Sequence, residues 1–242
     1  MNAVKQQIPN MITLLNLLCG CISIVFSASG NFEMAGCLIF VAAVFDFFDG
    51  FTARLLKISS PMGIQLDSLS DMVSFGVAPS MMLFYINLYK LSPASVGIWI
   101  LAGIPFLLAL FSALRLAKFN IDTRQTESFI GLTTTACAVF IASAMMYGQH
   151  HFTAFINNTY TIAVASIVLS LLLIAEIPMF SLKMKGLFKD GKFNKKYRIQ
   201  LFFIPTVMIL IILFRLGGIA ISALLYIIIS IIICLLSSKK EK

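Results

Sequence analysis

Residues 46–71 read DFFDGFTARLLKISSPMGIQLDSLSD and carry four aspartates in a chain that is otherwise apolar. Of the 242 residues, 60% are hydrophobic and 12% are charged, and the mean hydropathy is +0.97. Soluble domains carry about 25% charged residues, so this composition predicts a polytopic membrane protein. The four aspartates are Asp46, Asp49, Asp67 and Asp71.

The first two aspartates follow an apolar run that is too short to cross a bilayer alone. The uncharged residues before Asp46 begin only at Met34, whereas a spanning helix needs roughly 20 residues. The helix must therefore continue through Asp46 and Asp49 and carry both carboxylates into the membrane or just under its surface. Ionisable groups at that depth cost about 2.5 to 3.5 kcal/mol each on insertion scales, so they mark a functional site.

Helical spacing gathers the aspartates on two stripes. Side chains at i, i+3, i+4 and i+7 share one face of a helix. The first stripe consists of Asp46, Asp49, Gly50 and Ala53, with Arg54 at its edge. The stripe on the following helix consists of Gly63, Asp67, Ser70, Asp71 and Ser74. An antiparallel pair of these helices places four carboxylates around one cleft.

Four carboxylates this close cannot all stay ionised without cations. Oxygen ligands with no His or Cys beside them select Mg²⁺ or Mn²⁺ over zinc, and two such ions are the usual clamp for displacement at phosphorus. Small residues at Gly50, Ala53 and Gly63 let a bulky ligand approach the backbone, and Arg54 offers a planar fork for a phosphate. The alternative is a structural network of ion pairs with close helix packing, but the excess of carboxylates over cations favours metal.

Uncharged windows of about 20 residues predict an all-α integral membrane protein with about eight transmembrane helices in one domain, 1–242. Its parts are an N-terminal juxtamembrane segment, 1–10, with Pro9-Asn10 at the start of the first helix, the motif 46–71, and a basic loop, 181–200. The predicted spans lie near 11–28, 34–53, 68–89, 96–115, 131–148, 159–178, 201–215 and 218–236.

Charge predicts the orientation of these spans. If the N-terminus is cytoplasmic, every Lys and Arg except Lys90 and Arg215 falls on the cytoplasmic side. The positive-inside rule therefore predicts that both termini and the aspartate-rich turn face the cytoplasm. The net charge of +8 resides mostly in the Lys183–Arg198 loop and the Lys239–Lys242 tail. Basic segments between spans favour anionic lipid headgroups over nucleic acid.

The motif resembles, at every defined position, the signature of the CDP-alcohol phosphotransferases, membrane enzymes that transfer a phosphoalcohol from a CDP-linked donor to an alcohol and release CMP. The resemblance implies that the four aspartates bind two divalent metals and that Asp71 also accepts the proton of the acceptor hydroxyl. It implies a homodimer as well. The donor contacts that it implies are Gly50, Ala53 and Gly63 around the cytidine, Arg54 at the phosphates, and Asn10.

The residues around the motif resemble one branch of this family, the CDP-diacylglycerol–serine O-phosphatidyltransferases. The similar segments are 67–79, 114–120 and, more loosely, 129–136. A serine acceptor presents a carboxylate, which Arg115 or Lys118 at the cytosolic end of the fourth span can bind. For both cations, positive-inside anchoring is the alternative. Neutral hydrogen bonds to serine are expected from Ser70, Ser74 and Asn120.

The sequence therefore predicts transfer of a phosphatidyl group from CDP-diacylglycerol to L-serine, giving phosphatidylserine and CMP at the bacterial cytoplasmic membrane. Glycerol phosphate or inositol phosphate is the alternative acceptor within the family. A cation transporter is the alternative from another class, but transporters with intramembrane carboxylates are built from repeats with broken helices, and this sequence shows no repeat. A single displacement at phosphorus and a phosphatidyl-enzyme intermediate are both compatible with the sequence.

Overall fold

Apolar helices make up nearly all of the protein in this computed structural model, which describes residues 2–58, 60–90, 96–122, 131–151, 158–179, 188–189, 192–193 and 198–238. The helices are α1 (Asn2–Ala28), α2 (Phe32–Leu56), α3 (Pro61–Asp71), a π-helical segment (Met72–Val77), α4 (Ala78–Lys90), α5 (Val96–Gly103), α6 (Phe106–Ile121), α7 (Thr134–His151), α8 (Thr159–Ile174), α9 (Arg198–Phe214) and α10 (Leu216–Ser238).

The predicted spans coincide with eight apolar helical stretches among the described residues. Five of these stretches are long and apolar enough to cross a membrane, namely Gln7–Ala28, Phe32–Leu56, Pro61–Tyr89, Val96–Ile121 and Leu216–Cys234. Three are shorter, namely Thr134–Gly148, Thr159–Ile174 and Gln200–Phe214. The chain is therefore a multi-pass membrane protein, and the prediction of an all-α membrane fold is confirmed.

Two small departures from that prediction lie outside the acidic motif. Phe188–Lys189 pairs with Lys192–Phe193 as a two-stranded antiparallel hairpin. It lies in the predicted basic loop 181–200, of which residues 181–187, 190–191 and 194–197 lie outside the described residues. The sixth span was predicted to reach residue 178, but its helix ends at Ile174. The chain then continues in an extended conformation toward Pro178, and the carbonyl of Ile177 accepts a hydrogen bond from Gly131 N–H at 2.9 Å.

The segment 1–10 is helical from Asn2 and continuous with the first span. Pro9 lies inside α1 and not at its start, so the expectation that Pro9-Asn10 begins the helix is wrong. The hydroxyl of Thr13 donates a hydrogen bond to the carbonyl of Pro9 at 3.0 Å. Asn10 lies on α1 in the first turns of the apolar stretch Gln7–Ala28.

The turn between α2 and α3 has clear local causes. The helix continues through Asp46 and Asp49 to Leu56, as the short apolar run required. It ends at Lys57, whose backbone is left-handed with φ of 55°, a common way to end a helix. After the turn, the side chain of Ser60 accepts a hydrogen bond from Gly63 N–H at 3.0 Å, and Pro61 occupies the first turn of α3, which is the favoured start of a helix.

The helix α1 packs against α2, α3, the π segment and α4. The Ser70 hydroxyl donates to the carbonyl of Thr13 at 3.0 Å, and the Ser74 hydroxyl donates to the carbonyl of Asn16 at 2.9 Å. A side-chain Cβ at Gly20 would lie 2.7 Å from the Cα of Ser74. Small residues and interhelical hydrogen bonds of this kind are the usual means of helix association in membranes.

We expect Gly20→Ala to destabilise the bundle, because the added methyl group would collide with backbone that cannot rotate away. Overpacking of this kind costs about 1 to 3 kcal/mol, so the variant should show a lower Tm in detergent by thermal unfolding. Gly103→Ala is the matched control, since nothing lies within 4 Å of the position its Cβ would take. Equal Tm values for the two variants would contradict the close crossing of α1 and the π segment.

Candidate active site

Three carboxyl groups converge where α2 and α3 face each other. One oxygen each of Asp46, Asp49 and Asp67 lie within 4.8 Å of one another. The side chain of Asp49 is buried and interacts with Thr13 of α1. The side chain of Asp46 interacts with Thr135 in the first turn of α7. Four separate helices therefore fix the positions of these three carboxyl groups.

Asp71 completes the acidic cluster from the end of α3. Its side chain is buried and interacts with the side chain of Asp46. On its other side, Asn16 Nδ2 donates a hydrogen bond to Asp71 Oδ1 at 3.4 Å. The structure thus brings all four predicted aspartates into one cluster. Asp71 lies at the edge of the cluster, where its carboxyl group is oriented by an amide as well as by its acidic neighbours.

The donor set of the cluster fits a hard divalent cation. Each of the four residues offers carboxylate oxygens, which are the ligands that Mg²⁺ and Mn²⁺ prefer. The Oδ2 atom of Asp49 is buried and has no hydrogen-bond partner among the described residues. A buried acceptor without a partner lowers the stability of the fold, and a bound cation would supply the missing interaction.

The residues predicted to contact the donor lie on α1, α2 and α3, within one or two turns of the residues that form or contact the acidic cluster. A Cβ on Gly63 would lie 3.3 Å from Asn10 Oδ1, so the structure brings Asn10 next to the start of α3. A Cβ on Gly50 would lie 3.4 Å from Arg54 Nη1. The Arg54 guanidinium therefore lies over the small residues of α2, Gly50 and Ala53. The side chain of Arg54 is exposed.

Arg115 is one of the two predicted acceptor cations, and its side chain is buried. It lies on α6 with only 8% of its surface exposed, and it interacts electrostatically with Asp71. Its Nε atom is buried without a hydrogen-bond partner among the described residues. A buried cation in this state is poorly explained by anchoring at the membrane surface, since an anchoring side chain extends its charge into water.

The other predicted acceptor residues have structural partners. Lys118 Nζ forms an exposed salt bridge with Glu176 Oε1 at 2.8 Å, and Asn120 Nδ2 donates to Ser68 Oγ at 2.8 Å. Ser70 and Ser74 use their hydroxyl protons to bind α1. Contacts of these four residues with serine stay predictions; for Ser70 and Ser74 this conformation leaves only the oxygen lone pairs available to a ligand.

Sequence reasoning missed three polar side chains that hold the cluster. Thr13 and Asn16 lie in the apolar first span, and Thr135 lies in the first turn of α7. Buried Asn in a membrane span was a usable signal, because polar groups inside a membrane are costly and tend to be functional. Thr135 offered no such signal, since nothing in its local sequence indicates contact with α2.

Comparisons with known proteins identify the family that the sequence resembles. The sequence model for "CDP-alcohol phosphatidyltransferase" matches residues 6–175. The chain is similar to the CDP-diacylglycerol–serine O-phosphatidyltransferase of Helicobacter pylori, with 32% identity over 83% of this chain and 81% of the relative. The Bacillus subtilis enzyme of that name is 34% identical over 77% of this chain and 98% of the relative. The Methanocaldococcus jannaschii enzyme is 32% identical over 70% of this chain and 72% of the relative.

We expect Asp49→Asn to weaken metal binding, because the amide keeps the shape of the side chain but removes the charge of a buried ligand. The affinity for Mn²⁺, measured by titration of the purified protein with detection of free Mn²⁺ by electron paramagnetic resonance, should fall at least about tenfold. Glu33→Gln, at the opposite end of α2, is the matched control. An unchanged affinity in Asp49→Asn would exclude Asp49 as a ligand.

Proposed function

Because the chain belongs to the CDP-alcohol phosphatidyltransferase family, we propose that it transfers the phosphatidyl group of CDP-diacylglycerol to L-serine. The products are phosphatidylserine and CMP, and the reaction belongs to phospholipid biosynthesis. The observation that carries the choice of acceptor is the buried side chain of Arg115 within electrostatic range of Asp71. Relatives that carry the name of this serine-specific enzyme cover most of the chain and support the same choice.

The acceptor fits the two groups that the site presents. Serine carries a carboxylate and a hydroxyl separated by two carbon atoms, so both can reach one small pocket. With its carboxylate on Arg115, its hydroxyl can face Asp71. The pairing would also satisfy the buried Nε atom of Arg115, which has no partner in the described part of the chain. Charge-assisted hydrogen bonds between Arg and carboxylate are among the stronger ones in proteins.

The acidic cluster is proposed to hold two divalent cations, Mg²⁺ or Mn²⁺. Their ligands would be Asp46, Asp49 and Asp67, together with Asp71. When bound, such ions neutralise charge on the donor phosphates and on the leaving group. Arg54, exposed at the cleft, adds a fixed positive charge on the donor side, and the bare backbone at Gly50 and Gly63 leaves room for the cytidine.

Asp71 is proposed to act as the general base. Its carboxylate accepts the proton of the serine hydroxyl, and the serine oxygen forms a bond to the phosphorus that carries diacylglycerol. The bond between that phosphorus and the oxygen of the CMP phosphate breaks, and CMP leaves with the electron pair. The hydrogen bond from Asn16 to Oδ1 would fix the orientation of the carboxylate, so that its other oxygen faces the acceptor.

The distribution of charge supports an active site on the cytoplasmic face of the bacterial cell membrane, with both termini in the cytoplasm. The site lies at the turn between α2 and α3, beside Arg54 and Lys57. The homodimer is proposed from the family resemblance alone. The acyl chains of the donor would remain in the bilayer, while its headgroup enters the cleft from the membrane surface.

The proposed activity is tested with the purified protein, CDP-diacylglycerol and one acceptor at a time. We expect CMP release and phosphatidylserine formation with L-serine and Mg²⁺ or Mn²⁺, and no turnover in excess EDTA. Glycerol phosphate and inositol phosphate are the alternative acceptors. Faster CMP release with either of them than with serine would assign the chain to another branch of the family, and full activity in EDTA would exclude the metal mechanism.

We expect Asp71→Asn to lower kcat by about 10² to 10⁴-fold, the typical contribution of a general base. Raising the Mn²⁺ concentration should restore little of this loss, because the amide cannot accept the hydroxyl proton. Asp49→Asn is the matched comparison, since added Mn²⁺ should recover part of its activity. If Mn²⁺ restores both variants equally, Asp71 is a metal ligand only.

A further inference from the structure

Two contacts join α6 to α3 and to the π segment that continues α3. In the first, a Cβ on Gly76 would lie 3.1 Å from the Cβ of Ser112, which is closer than ordinary van der Waals contact. In the second, Asn120 Nδ2 donates a hydrogen bond to Ser68 Oγ at 2.8 Å. From the first contact to the second, residue numbers rise along α6 and fall along its partner, so the two helices run antiparallel.

Arg115 and Asp71 both lie between these two contacts. Arg115 follows Ser112 by three residues on α6, and Asp71 follows Ser68 by three residues on α3. Because the helices are antiparallel, Arg115 and Asp71 differ in height along them by about two residues, or roughly 3 Å at a rise of about 1.5 Å per residue. The two contacts therefore set the position of Arg115 relative to Asp71.

The partners of α6 in these contacts are themselves held in place. Gly76 is buried, and its carbonyl accepts a hydrogen bond from the hydroxyl of Ser80 at 2.7 Å. The hydroxyl of Ser68 donates to the carbonyl of Ile64 at 3.1 Å, so its oxygen is left to accept the bond from Asn120. A movement of α6 would therefore disturb two points that are fixed on α3 and the π segment.

Arg115 depends on the placement of its helix. Its Nε atom is buried and has no hydrogen-bond partner among the described residues, so within that part of the chain no bond to this atom orients the side chain. The backbone position of Arg115 then decides where its guanidinium can reach. Misplacement of a binding group by about 1 Å can cost about 10²-fold in rate, so a small acceptor requires α6 to be accurately placed.

We propose that Gly76 and Ser68 are positioning residues for the acceptor. They hold α6 at the distance and height from which Arg115 binds the carboxylate of serine. The inference rests on the proposed function and deepens it. It also gives Asn120 a different role from the direct serine contact that the resemblance implies, because its amide nitrogen donates to Ser68 and thereby fixes the end of α6.

Gly76→Ala tests the first contact. The added methyl group meets Ser112 Cβ, which is fixed to its own backbone, so α6 must move away by a few tenths of an ångström. The KM for serine should rise about 2- to 10-fold, while the KM for CDP-diacylglycerol stays within about twofold. Gly103→Ala is the matched control and should match the wild type, because nothing lies within 4 Å of its added Cβ. An unchanged KM for serine in Gly76→Ala, or an equal rise in both KM values, would overturn the proposal.

A second substitution, Ser112→Gly, separates displacement of α6 from general damage. With Ser112 Cβ absent, the methyl group has room, so adding Gly76→Ala to Ser112→Gly should change the KM for serine by less than about twofold. The same rise in both backgrounds would overturn the role of the contact. If Gly76→Ala alone does not fold, the double variant should fold with the KM of Ser112→Gly. Failure of the double variant to fold would overturn the proposal, because something other than α6 would then exclude the methyl group.

The second contact is tested by Ser68→Ala, Asn120→Ala and the double variant. Each single substitution should raise the KM for serine by up to about 12-fold, the effect of losing one hydrogen bond, and the double variant should show no further rise. The affinity for Mn²⁺ should match that of the wild type, and a lower affinity in Ser68→Ala would overturn the proposal, since the neighbouring Asp67 would then be the residue affected. If only Asn120→Ala raises the KM, Asn120 contacts serine directly and the positioning role of Ser68 is excluded.

Serine-dependent thermal stabilisation supplies a readout that does not require turnover. With a non-reacting analogue of the donor bound, serine should raise the Tm of the wild type at lower concentrations than that of Gly76→Ala. Identical concentration dependence would overturn the inference. If the wild type converts serine normally and only this difference is missing, the inference alone fails; if the wild type makes no phosphatidylserine, the proposed function fails and the inference fails with it.

Discussion

Hydrogen bonds from Ser70 and Ser74 to the backbone carbonyls of α1 hold the acidic helices in position. They matter because α1 packs against both α2 and α3, so it sets how far apart the two stripes of carboxylates lie. Between helices in a membrane there is no gain from removing apolar surface from water, and polar contacts and close packing must supply the association. The absence of a side chain at Gly20 permits this approach, and Asn16 then reaches Asp71.

The cluster places like charges together at membrane depth, where they repel one another and lack full hydration. Such an arrangement is unfavourable in isolation, and the buried Oδ2 atom of Asp49 shows that hydrogen bonds from the described residues do not fully compensate it. A cation site explains both features. In the described part of the chain, the buried Arg115 interacts electrostatically with Asp71 and the exposed Arg54 with Asp49, so two positive charges stand opposite four carboxyl groups. That imbalance distinguishes a metal-binding cluster from a network of structural ion pairs.

Helical periodicity predicted the parts of this site that lie close together in the sequence. The short apolar run before Asp46 required a helix through both aspartates, and the structure confirms that helix to Leu56. Periodicity gave no indication of the π segment after Asp71, since a π turn shifts the face of a helix without a characteristic composition. Periodicity also gave no indication that Thr135 interacts with Asp46, because contacts between distant helices depend on tertiary packing and leave no local pattern.

The difference between the site residues that the sequence predicted and those that it did not follows from the ligand that each part of the site is proposed to bind. The motif is proposed to bind the groups that every CDP-linked donor shares, namely phosphates and cytidine, so its spacing can be read from one short stretch. The acceptor differs between branches of the family, and here its proposed contact with the carboxylate comes from Arg115 on α6. On this proposal, specificity can change through helices packed around the motif while the proposed metal ligands, the four aspartates, stay where they are.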